Sequence, residues 1–305
     1  MTKPLHGMTV LLLVAALLVI APESEAQKTS PKTLTLGVVF QGQREPLEKH
    51  FYPLVNYAAR KLAGTDETKG VVLVAPTAGQ MVKLLEEKRV DFYMESPYPT
   101  YLINRLGAGK LLLRRWKGGM ADYRSLFFTS KESGVAKLGD LRGKIIAFED
   151  PGSTSGYFLP KLFLLKKGFS LAEKANTGSK VSTGEVGYIF GNTADDVVSL
   201  VLQQKTVAGA FSNDDYASLE DKRKIRISII DQTDSVSRHL VSVRKDLPDS
   251  TVKNLKEILL KMDQDKDGQQ ILKQTDNTTK FDLLPGGEEK VRKQLIDLYR
   301  PRGGN

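Results

Sequence analysis

Short β-rich runs alternate with helical patterns along most of this chain, and this alternation restricts the fold more than any other feature of the sequence. The predicted strands are Thr33–Phe40, Val71–Ala75, Val90–Met94, Tyr123–Thr129, Lys144–Phe148, Glu185–Phe190, Val207–Phe211, Ile225–Ile230 and His239–Arg244. The predicted helices are Pro46–Leu62, Gly79–Lys88, Tyr157–Lys167, Ala194–Gln204, Ser250–Lys273 and Gly287–Tyr299. Strands that alternate with helices favour parallel sheets with helices on both faces, so the sequence predicts an α/β fold.

The first 26 residues are predicted to be a signal peptide that lies outside this fold. Met8–Ala21 is an apolar run, and as a helix it would span about 21 Å, less than the roughly 30 Å hydrocarbon core of a bilayer. Pro22 ends the run, and Ser24 and Ala26 place small residues where a signal peptidase cuts. We therefore expect residues 1–26 to be removed on export, with an uncleaved membrane anchor as the alternative.

The charge and the missing cysteines exclude several classes of function. Lysine and arginine number 45 against 36 aspartates and glutamates, the formal charge is +9, and cysteine is absent. A chain without cysteine has no disulfide, thiol nucleophile or cysteine-bound metal, and it is not a lipoprotein. The basic residues are scattered, with Arg114–Lys117 and Lys222–Lys224 as the longest clusters, and most of them are expected to be solvated. An exported protein with this scattered charge is not expected to bind nucleic acid.

One local motif points to a binding site. Residues 150–156, DPGSTSG, follow a predicted strand directly and precede a predicted helix. The first turn of a helix has free N–H groups, and together with hydroxyl donors it forms a site for an anion. One hydroxyl is enough to cap a helix, whereas Ser153, Thr154 and Ser155 supply three. The motif therefore predicts an anion-binding loop, with simple capping as the alternative.

The segment from residue 123 to residue 168 resembles the phosphate-, phosphite- and phosphonate-binding proteins of ABC importers. The resemblance depends on the 150–156 loop, on Asp140–Lys144 before it and on Pro160 after it. It continues more weakly over nearly the whole chain beyond residue 26, through Val90–Phe92 with Ser96-Pro97, Val207–Phe211 and Arg244–Pro248.

This resemblance implies a type II periplasmic binding protein, a two-lobed fold that closes like a Venus flytrap. Each lobe would be a mixed, mainly parallel sheet flanked by helices, and the ligand would be buried between the lobes. Lobe 1 would comprise residues 27–127 and 237–305, and lobe 2 residues 128–236, with crossings near Phe127–Thr129 and Val236–Leu240. Closure of the two lobes around a solute would be the mechanism.

The resemblance also implies which residues contact the ligand. The oxygens of the ligand would be held by the side chains of Ser153, Thr154 and Ser155 and by the N–H of Gly156. The loops 40–43 and 95–98 would close on the ligand from lobe 1, with contacts from Gln41, Ser96 and Tyr98.

Several positions differ from the family pattern and leave the exact ligand open. Glu95 would repel a dianion unless it faced a hydroxyl, an amine or an acidic proton; the alternative is a Glu95 that caps or pairs at the surface. Tyr93 and Tyr98 would supply hydroxyls to the ligand or else pack in the core. Asp214 would hold an amino group of the ligand or else cap a helix. Arg238 would be a bidentate oxyanion ligand or else a solvated side chain.

The predicted function is capture of a phosphonate, phosphite or phosphate-like oxyanion in the periplasm, by a monomer that delivers it to the permease of an ABC importer. The alternative is a sensor that reports the ligand to a membrane histidine kinase. An enzyme is not expected, because no general base is expected beside Ser153–Ser155. No cofactor or metal is expected either: Asp263, Asp265 and Asp267 resemble the start of a calcium loop, but Gln274 stands where a bidentate Glu is required.

Overall fold

The computed structural model describes residues 1–2, 33–40, 44–65 and 68–299, so the predicted signal peptide lies almost entirely outside the described residues. The strands are β1 (Thr33–Val39), β2 (Lys69–Ala75), β3 (Phe92–Glu95), β4 (Gly109–Lys117), β5 (Asp122–Tyr123), β6 (Ser125–Ser130), β7 (Ile145–Phe148), β8 (Ser170–Glu173), β9 (Glu185–Phe190), β10 (Ala208–Ser212), β11 (Ile227–Gln232), β12 (Val236–Ser237), β13 (His239–Arg244) and β14 (Thr278–Asp282). The helices are α1 (Arg44–Ala63), α2 (Ala78–Glu86), α3 (Pro97–Arg105), α4 (Leu159–Lys166), α5 (Ala194–Leu202), α6 (Asn213–Ser218), α7 (Asp221–Lys224), α8 (Asp249–Lys261), α9 (Lys266–Gln274) and α10 (Glu288–Tyr299). Single turns of 3-10 helix lie at Leu138–Leu141 and Met262–Gln264, and a π-helical turn lies at Thr154–Phe158.

Two six-stranded sheets form the framework. The strand order is β14-β4-β13-β3-β1-β2 in the first sheet and β11-β6-β10-β7-β9-β8 in the second. In the first sheet β1 pairs in parallel with β2 and β3, and the other neighbours are antiparallel. In the second sheet β7, β8, β9 and β10 pair in parallel, and β6 and β11 are antiparallel. The predicted α/β fold with mixed sheets is confirmed, although antiparallel return strands make the first sheet less parallel than expected.

The chain leaves the first sheet after β4 and returns to it at β13. On these two crossings β5 and β12 pair with each other, with Tyr123 opposite Val236 and Asp122 opposite Ser237. Phe127 and Thr129, near which the first crossing was predicted, lie within β6 of the second sheet. The division into two moving lobes at residues 127 and 237 stays a prediction.

Both sheets are held by apolar layers that keep the strand ends in place. Helices α1 and α8 cover one side of the first sheet, where Leu54, Ala58, Leu255 and Leu259 are fully buried. The second sheet has one layer on each side, around Leu164 and Val197. Each leucine or valine side chain contributes about 1.5–3 kcal/mol when it is fully buried. This packing fixes the carboxyl ends of the parallel strands, which is where ligands bind in open α/β sheets.

The predicted helix Ser250–Lys273 is wrong in one respect, because it is interrupted at Asp265. The side chain of Asp265 caps α9 by accepting a hydrogen bond from the N–H of Gly268 at 2.9 Å, and it also accepts one from the hydroxyl of Tyr57. An Asp favours an N-cap position over a helix interior because its side chain competes for backbone donors. The acidic residues 263–267 therefore stand where one helix ends and the next begins.

Arg115, in the basic cluster 114–117, is an exception to the expectation that most basic residues are solvated. This cluster lies in β4, a strand that the sequence patterns did not indicate, and Arg115 is 1% exposed. Its guanidinium donates to Asp276 Oδ2 at 2.8 Å and to Thr278 Oγ1 at 2.7 Å. A buried charge needs such partners, and here they come from the neighbouring strand β14 and the turn before it. Among the described residues, no helix combines the length and apolar character needed to cross a membrane.

Candidate functional site

The 150–156 loop is closed on itself by Ser153, Glu149 and Gly156. The loop leaves the end of β7 and enters the π-helical turn that leads into α4. Ser153 is the N-cap: its hydroxyl accepts a hydrogen bond from the N–H of Gly156 at 2.9 Å and donates one to Glu149 Oε2 at 2.7 Å. The backbone N–H of Glu149 in turn donates to the carbonyl of Gly156 at 3.0 Å. The hydroxyl of Ser153 and the N–H of Gly156, both implied as ligand contacts by the resemblance, are therefore used within the loop.

Thr154 joins the loop to the opposite sheet. Its hydroxyl donates to Ser96 Oγ at 2.9 Å and accepts a hydrogen bond from the backbone N–H of Tyr98, also at 2.9 Å. Ser96 and Tyr98 follow β3 of the first sheet, and the ring of Tyr98 stacks on Phe158 of the π-helical turn at a centroid distance of 3.8 Å. The two sheets are therefore closed on each other at this point.

Ser155 lies at the start of the π-helical turn, directly after Thr154. Thr154 and Ser155 are its first two residues, and N–H groups in a first helical turn have no acceptor within the helix. Ser155 is 7% exposed, so its hydroxyl lies inside the closed cleft. The phenol of Tyr123, on the crossing strand β5, faces the Thr154 and Ser155 hydroxyls. Burial raises the pKa of Tyr123 to about 12, and hydrogen bonds with those two hydroxyls oppose this shift. Tyr123 was not among the residues anticipated from the sequence.

Arg238 and Asp214 form a buried ion pair beside this loop. The Nε and Nη2 atoms of Arg238 donate to Asp214 Oδ2 at 3.0 and 2.6 Å, and the guanidinium lies 4.4 Å from the ring centroid of Tyr123. Arg238 is 9% exposed, so the alternative of a solvated arginine is excluded. Burial opposes ionisation of Asp214, but the charge and hydrogen bonds of Arg238 hold its pKa below the usual value. Asp214 Oδ1 is buried and has no hydrogen-bond partner within the described part of the chain.

Asp215, and not Asp214, takes part in capping helix α6. Asp215 accepts hydrogen bonds from the backbone and side chain of Ser212, and Ser212 Oγ accepts one from the N–H of Asp215 at 3.0 Å. This reciprocal arrangement caps α6 and leaves Asp214 free to face Arg238.

Glu149 is the second residue of the site that the sequence did not single out. Burial raises its pKa to about 7, the hydrogen bond from Ser153 opposes this shift, and the charges of Asp215 and Asp150 add to it. The sequence did contain a signal for Glu149: it is an acidic residue directly after a buried strand and before a glycine-rich turn. The Glu149 carboxyl can therefore carry a proton near neutral pH, which reduces its repulsion of an anion at the loop.

Glu95 lies inside the protein at the carboxyl ends of β1 and β3. It is 7% exposed and accepts a hydrogen bond from the N–H of Val39 at 2.5 Å, so it neither caps nor pairs at the surface. Burial raises the pKa of Glu95 to about 8, against the opposing effects of hydrogen bonds from Val39 and Ser96 and of the charge of Arg115.

We expect Glu95→Gln to flatten the pH dependence of stability. The folded-state pKa of Glu95 is raised to about 8. The stability that protonated Glu95 contributes is therefore fully present below about pH 4.5 and is lost as pH rises through about 8. Gln keeps an oxygen for the Val39 N–H but does not ionise. Urea unfolding should therefore show the variant gaining up to about 4 kcal/mol on the parent between pH 5 and 9. Glu87→Gln, at an exposed site, is the control; profiles that stay parallel for Glu95→Gln would contradict the assignment.

Tyr93 and Gln41 are the two remaining residues that were anticipated as ligand contacts. Tyr93 is fully buried, and its hydroxyl donates to Asn104 Oδ1 at 2.6 Å, which matches the alternative of core packing. Gln41 lies outside the described residues. Within the described ranges, no three or more His, Cys, Asp or Glu side chains are arranged to hold a metal ion.

Comparison with known proteins places the chain in a family. The family model for the periplasmic substrate-binding protein of phosphonate ABC transporters matches residues 36–284. The chain therefore belongs to this family of transport proteins. The type II periplasmic binding protein fold implied by the resemblance is confirmed.

Individual relatives agree with this assignment. XAC2383 from Xanthomonas citri, in a structure bound to chloride, is 28% identical, with a TM-score of 0.80 over 88% of this chain and 97% of that chain. PhnD1 from Prochlorococcus marinus, in complex with methylphosphonate, shares the fold at 20% identity, with a TM-score of 0.66 over 88% of this chain and 98% of that chain. The phosphate-import protein PhnD of Mycolicibacterium smegmatis is 26% identical over 152 residues, which are 48% of this chain and 46% of that protein. The chain thus spans less than half of the length of this curated relative.

Proposed function

We propose that this protein captures a tetrahedral oxyanion of the phosphonate, phosphite or phosphate class between its two sheets, and delivers it to the permease of an ABC importer. The observation that carries the proposal is the double contact of Thr154. Its hydroxyl ties the loop to Ser96 and Tyr98 of the first sheet, and the next residue, Ser155, lies beside it in the first π-helical turn, where N–H groups have no acceptor within the helix. Closure of the cleft and binding of the anion are therefore coupled through adjacent residues of one loop.

The charged groups of the cleft support a ligand that also donates hydrogen bonds. Arg238 supplies a buried positive charge near the loop, but Asp214 and Glu149 lie on the same side. A fully ionised dianion would be repelled by these carboxyl groups. An oxyanion that carries an acidic proton, a hydroxyl or an ammonium group would instead use the free Asp214 Oδ1 as an acceptor. Alkyl and aminoalkyl phosphonates, hydrogen phosphite and hydrogen phosphate are the classes to test.

The domain and export assignments complete the proposal. Lobe 1 would comprise residues 27–127 and 237–305 and lobe 2 residues 128–236, and the paired strands β5 and β12 lie on the crossings between the two sheets. A signal peptide at residues 1–26 would send a soluble monomer to the periplasm. The family is one of transport proteins, which favours a permease over a histidine kinase as the partner. Stimulation of a reconstituted permease and its ATPase by the loaded protein, without kinase activation, is the discriminating result.

We expect Ser155→Ala to weaken binding of the cognate anion by about 10-fold or more, because a hydrogen bond to a charged group contributes about 1.5–3 kcal/mol. Calorimetry of the mature protein with methylphosphonate, aminoethylphosphonate, phosphite, phosphate, arsenate and sulfate first identifies the ligand. The same titration is then repeated with Ser155→Ala and with Ser182→Ala, an exposed serine of the second sheet's side, as the matched control. If no anion binds, the proposed function is wrong; if Ser155→Ala binds like the parent, the site is wrong.

A further inference from the structure

The C-terminal helix reaches the closed cleft through Tyr299. Tyr299 lies in the last turn of α10 and is 4% exposed. Its ring is 5.6 Å from that of Tyr98 and 5.0 Å from that of Tyr101, which both belong to α3 on the side of the first sheet. It is also 4.8 Å from the ring of Phe158, in the turn that carries the binding loop. The ring of Tyr299 therefore touches elements on both sides of the cleft.

The phenol of Tyr299 is buried and unsatisfied. Its oxygen is shielded from solvent and has no hydrogen-bond partner among the described residues. Burial raises the pKa of Tyr299 well above its usual value, and the nearby polar groups that influence it are the phenols of Tyr123 and Tyr98 and the hydroxyl of Thr154. A buried donor left without an acceptor costs about 1–3 kcal/mol. The unsatisfied phenol thus faces the binding loop.

A count of hydrogen-bonding capacity shows what this phenol can contact. The Thr154 hydroxyl has one donor and two acceptor positions. Its donor is used by Ser96, and one acceptor position is used by the N–H of Tyr98. One acceptor position remains for two phenols, those of Tyr123 and Tyr299, and Tyr123 also faces the Ser155 hydroxyl. Tyr123 and Tyr299 therefore compete for the last position on Thr154, and an oxygen of a ligand beside the loop would give the phenol of Tyr299 an acceptor of its own.

We propose that Tyr299 is a positioning residue for ligand-bound closure: its ring packs against Phe158 and Tyr98 when the cleft shuts, and its phenol donates a hydrogen bond to Thr154 or to the ligand oxygen next to it. This proposal deepens the proposed function and rests on it for the identity of the ligand. It makes the end of the chain, which is distant in sequence from the 150–156 motif, a part of the closing mechanism.

The absence of native cysteine allows a direct test of closure. Leu106→Cys and Ile225→Cys place spin labels at exposed positions, 63% and 66% accessible, on the sides of the first and second sheets. Label-to-label distances are measured by pulsed electron resonance, without ligand and with methylphosphonate, phosphite and inorganic phosphate. Affinities and dissociation rates are measured in parallel for Tyr299→Phe and Tyr299→Ala. Tyr52→Phe, at a 48% exposed tyrosine of α1, is the matched control.

We expect Tyr299→Phe to weaken binding about 3- to 10-fold, mainly through faster dissociation, because it removes one hydrogen bond and keeps the ring. Tyr299→Ala should weaken binding further and shift the distances towards the open form. A residue that only packs would tolerate Phe, so unchanged affinity and dissociation in Tyr299→Phe would overturn the role of the phenol. Unchanged distances in Tyr299→Ala would overturn the role of the ring.

The two proposals fail in distinguishable ways. If none of these three anions, and no aminoalkyl phosphonate added as a fourth, shortens the distances in the parent protein, the proposed function is contradicted. The ligand-free distances then decide the role of the ring: longer distances in Tyr299→Ala than in the parent support it, and coincident distributions contradict it.

Discussion

Gly156→Ala is expected to reduce affinity for the cognate oxyanion by about 30-fold or more and to lower stability by about 1–3 kcal/mol. A Cβ added at this glycine would lie 2.2 Å from Oε2 and 2.4 Å from Cβ of Glu149, and 3.0 Å from the hydroxyl of Ser153. Glu149 cannot withdraw without losing its hydrogen bond from Ser153. The whole turn must therefore move, and the donors of Ser155 move with it.

The measurement is calorimetry with the anion identified for the parent, together with urea unfolding of both proteins. Gly184→Ala is the matched control, because a Cβ at Gly184 meets nothing within 4 Å. We expect the control to bind like the parent. Parent-like affinity in Gly156→Ala would show that the loop is looser than its contacts with Glu149 indicate.

Arg238→Gln is expected to lower the free energy of unfolding by about 3–5 kcal/mol near neutral pH, because it leaves the Asp214 carboxylate buried without its partner. The Arg238 and Asp214 side chains are 11% and 15% exposed, so solvent screens the pair weakly. Binding of the oxyanion should fall as well, since the buried positive charge of the cleft is lost. Urea unfolding at constant salt measures the first effect, and calorimetry measures the second.

The pH dependence of this variant has a definite sign. Arg238 holds the pKa of Asp214 below its usual value, so the stability that the pair contributes is present above the unfolded pKa and is lost as pH falls through the folded one. The deficit of Arg238→Gln should therefore shrink in acid. The double variant with Asp214→Asn should recover much of the stability, because the unpaired charge is gone.

Arg292→Gln serves as the surface comparison for this pair. The Arg292 and Glu289 side chains are 51% and 80% exposed, and solvent screens such a pair so strongly that it contributes little to stability. If Arg238→Gln costs no more than Arg292→Gln, the Arg238–Asp214 pair is not the buried interaction described above.

The 150–156 loop was predictable because its signals are local in the chain. The strand before it, the turn residues Asp150 to Gly152 and the three hydroxyls are consecutive, and the N-cap contact of Ser153 spans only a few residues. The hydrogen-bond partner of each hydroxyl was not predictable in the same way. The partner of Thr154, Ser96, is 58 residues distant in sequence, so the Thr154 hydroxyl could not be assigned to closure before the two sheets were placed.

A solvated position was considered for two arginines, and it is wrong for both because the fold buries their side chains. Arg238 and Arg115 are both arginines in polar stretches of sequence, and both are nearly inaccessible in the fold. Each is satisfied by an acid that lies far along the chain, Asp214 or Asp276. The interruption at Asp265, by contrast, follows from a local preference of Asp for helix starts that the apolar periodicity of Ser250–Lys273 concealed.

The sequence by itself determined the α/β alternation, the position of the hydroxyl-rich loop at residues 150–156 and the family to which the chain belongs, because strand, turn and cap signals act over a few residues. Only the tertiary structure decided which donors remain for a ligand, that Glu149 and Glu95 are buried carboxyls with raised pKa values, and that Tyr299 reaches the cleft. These properties depend on burial and on partners from distant strands, which exist once the sheets have packed and closed.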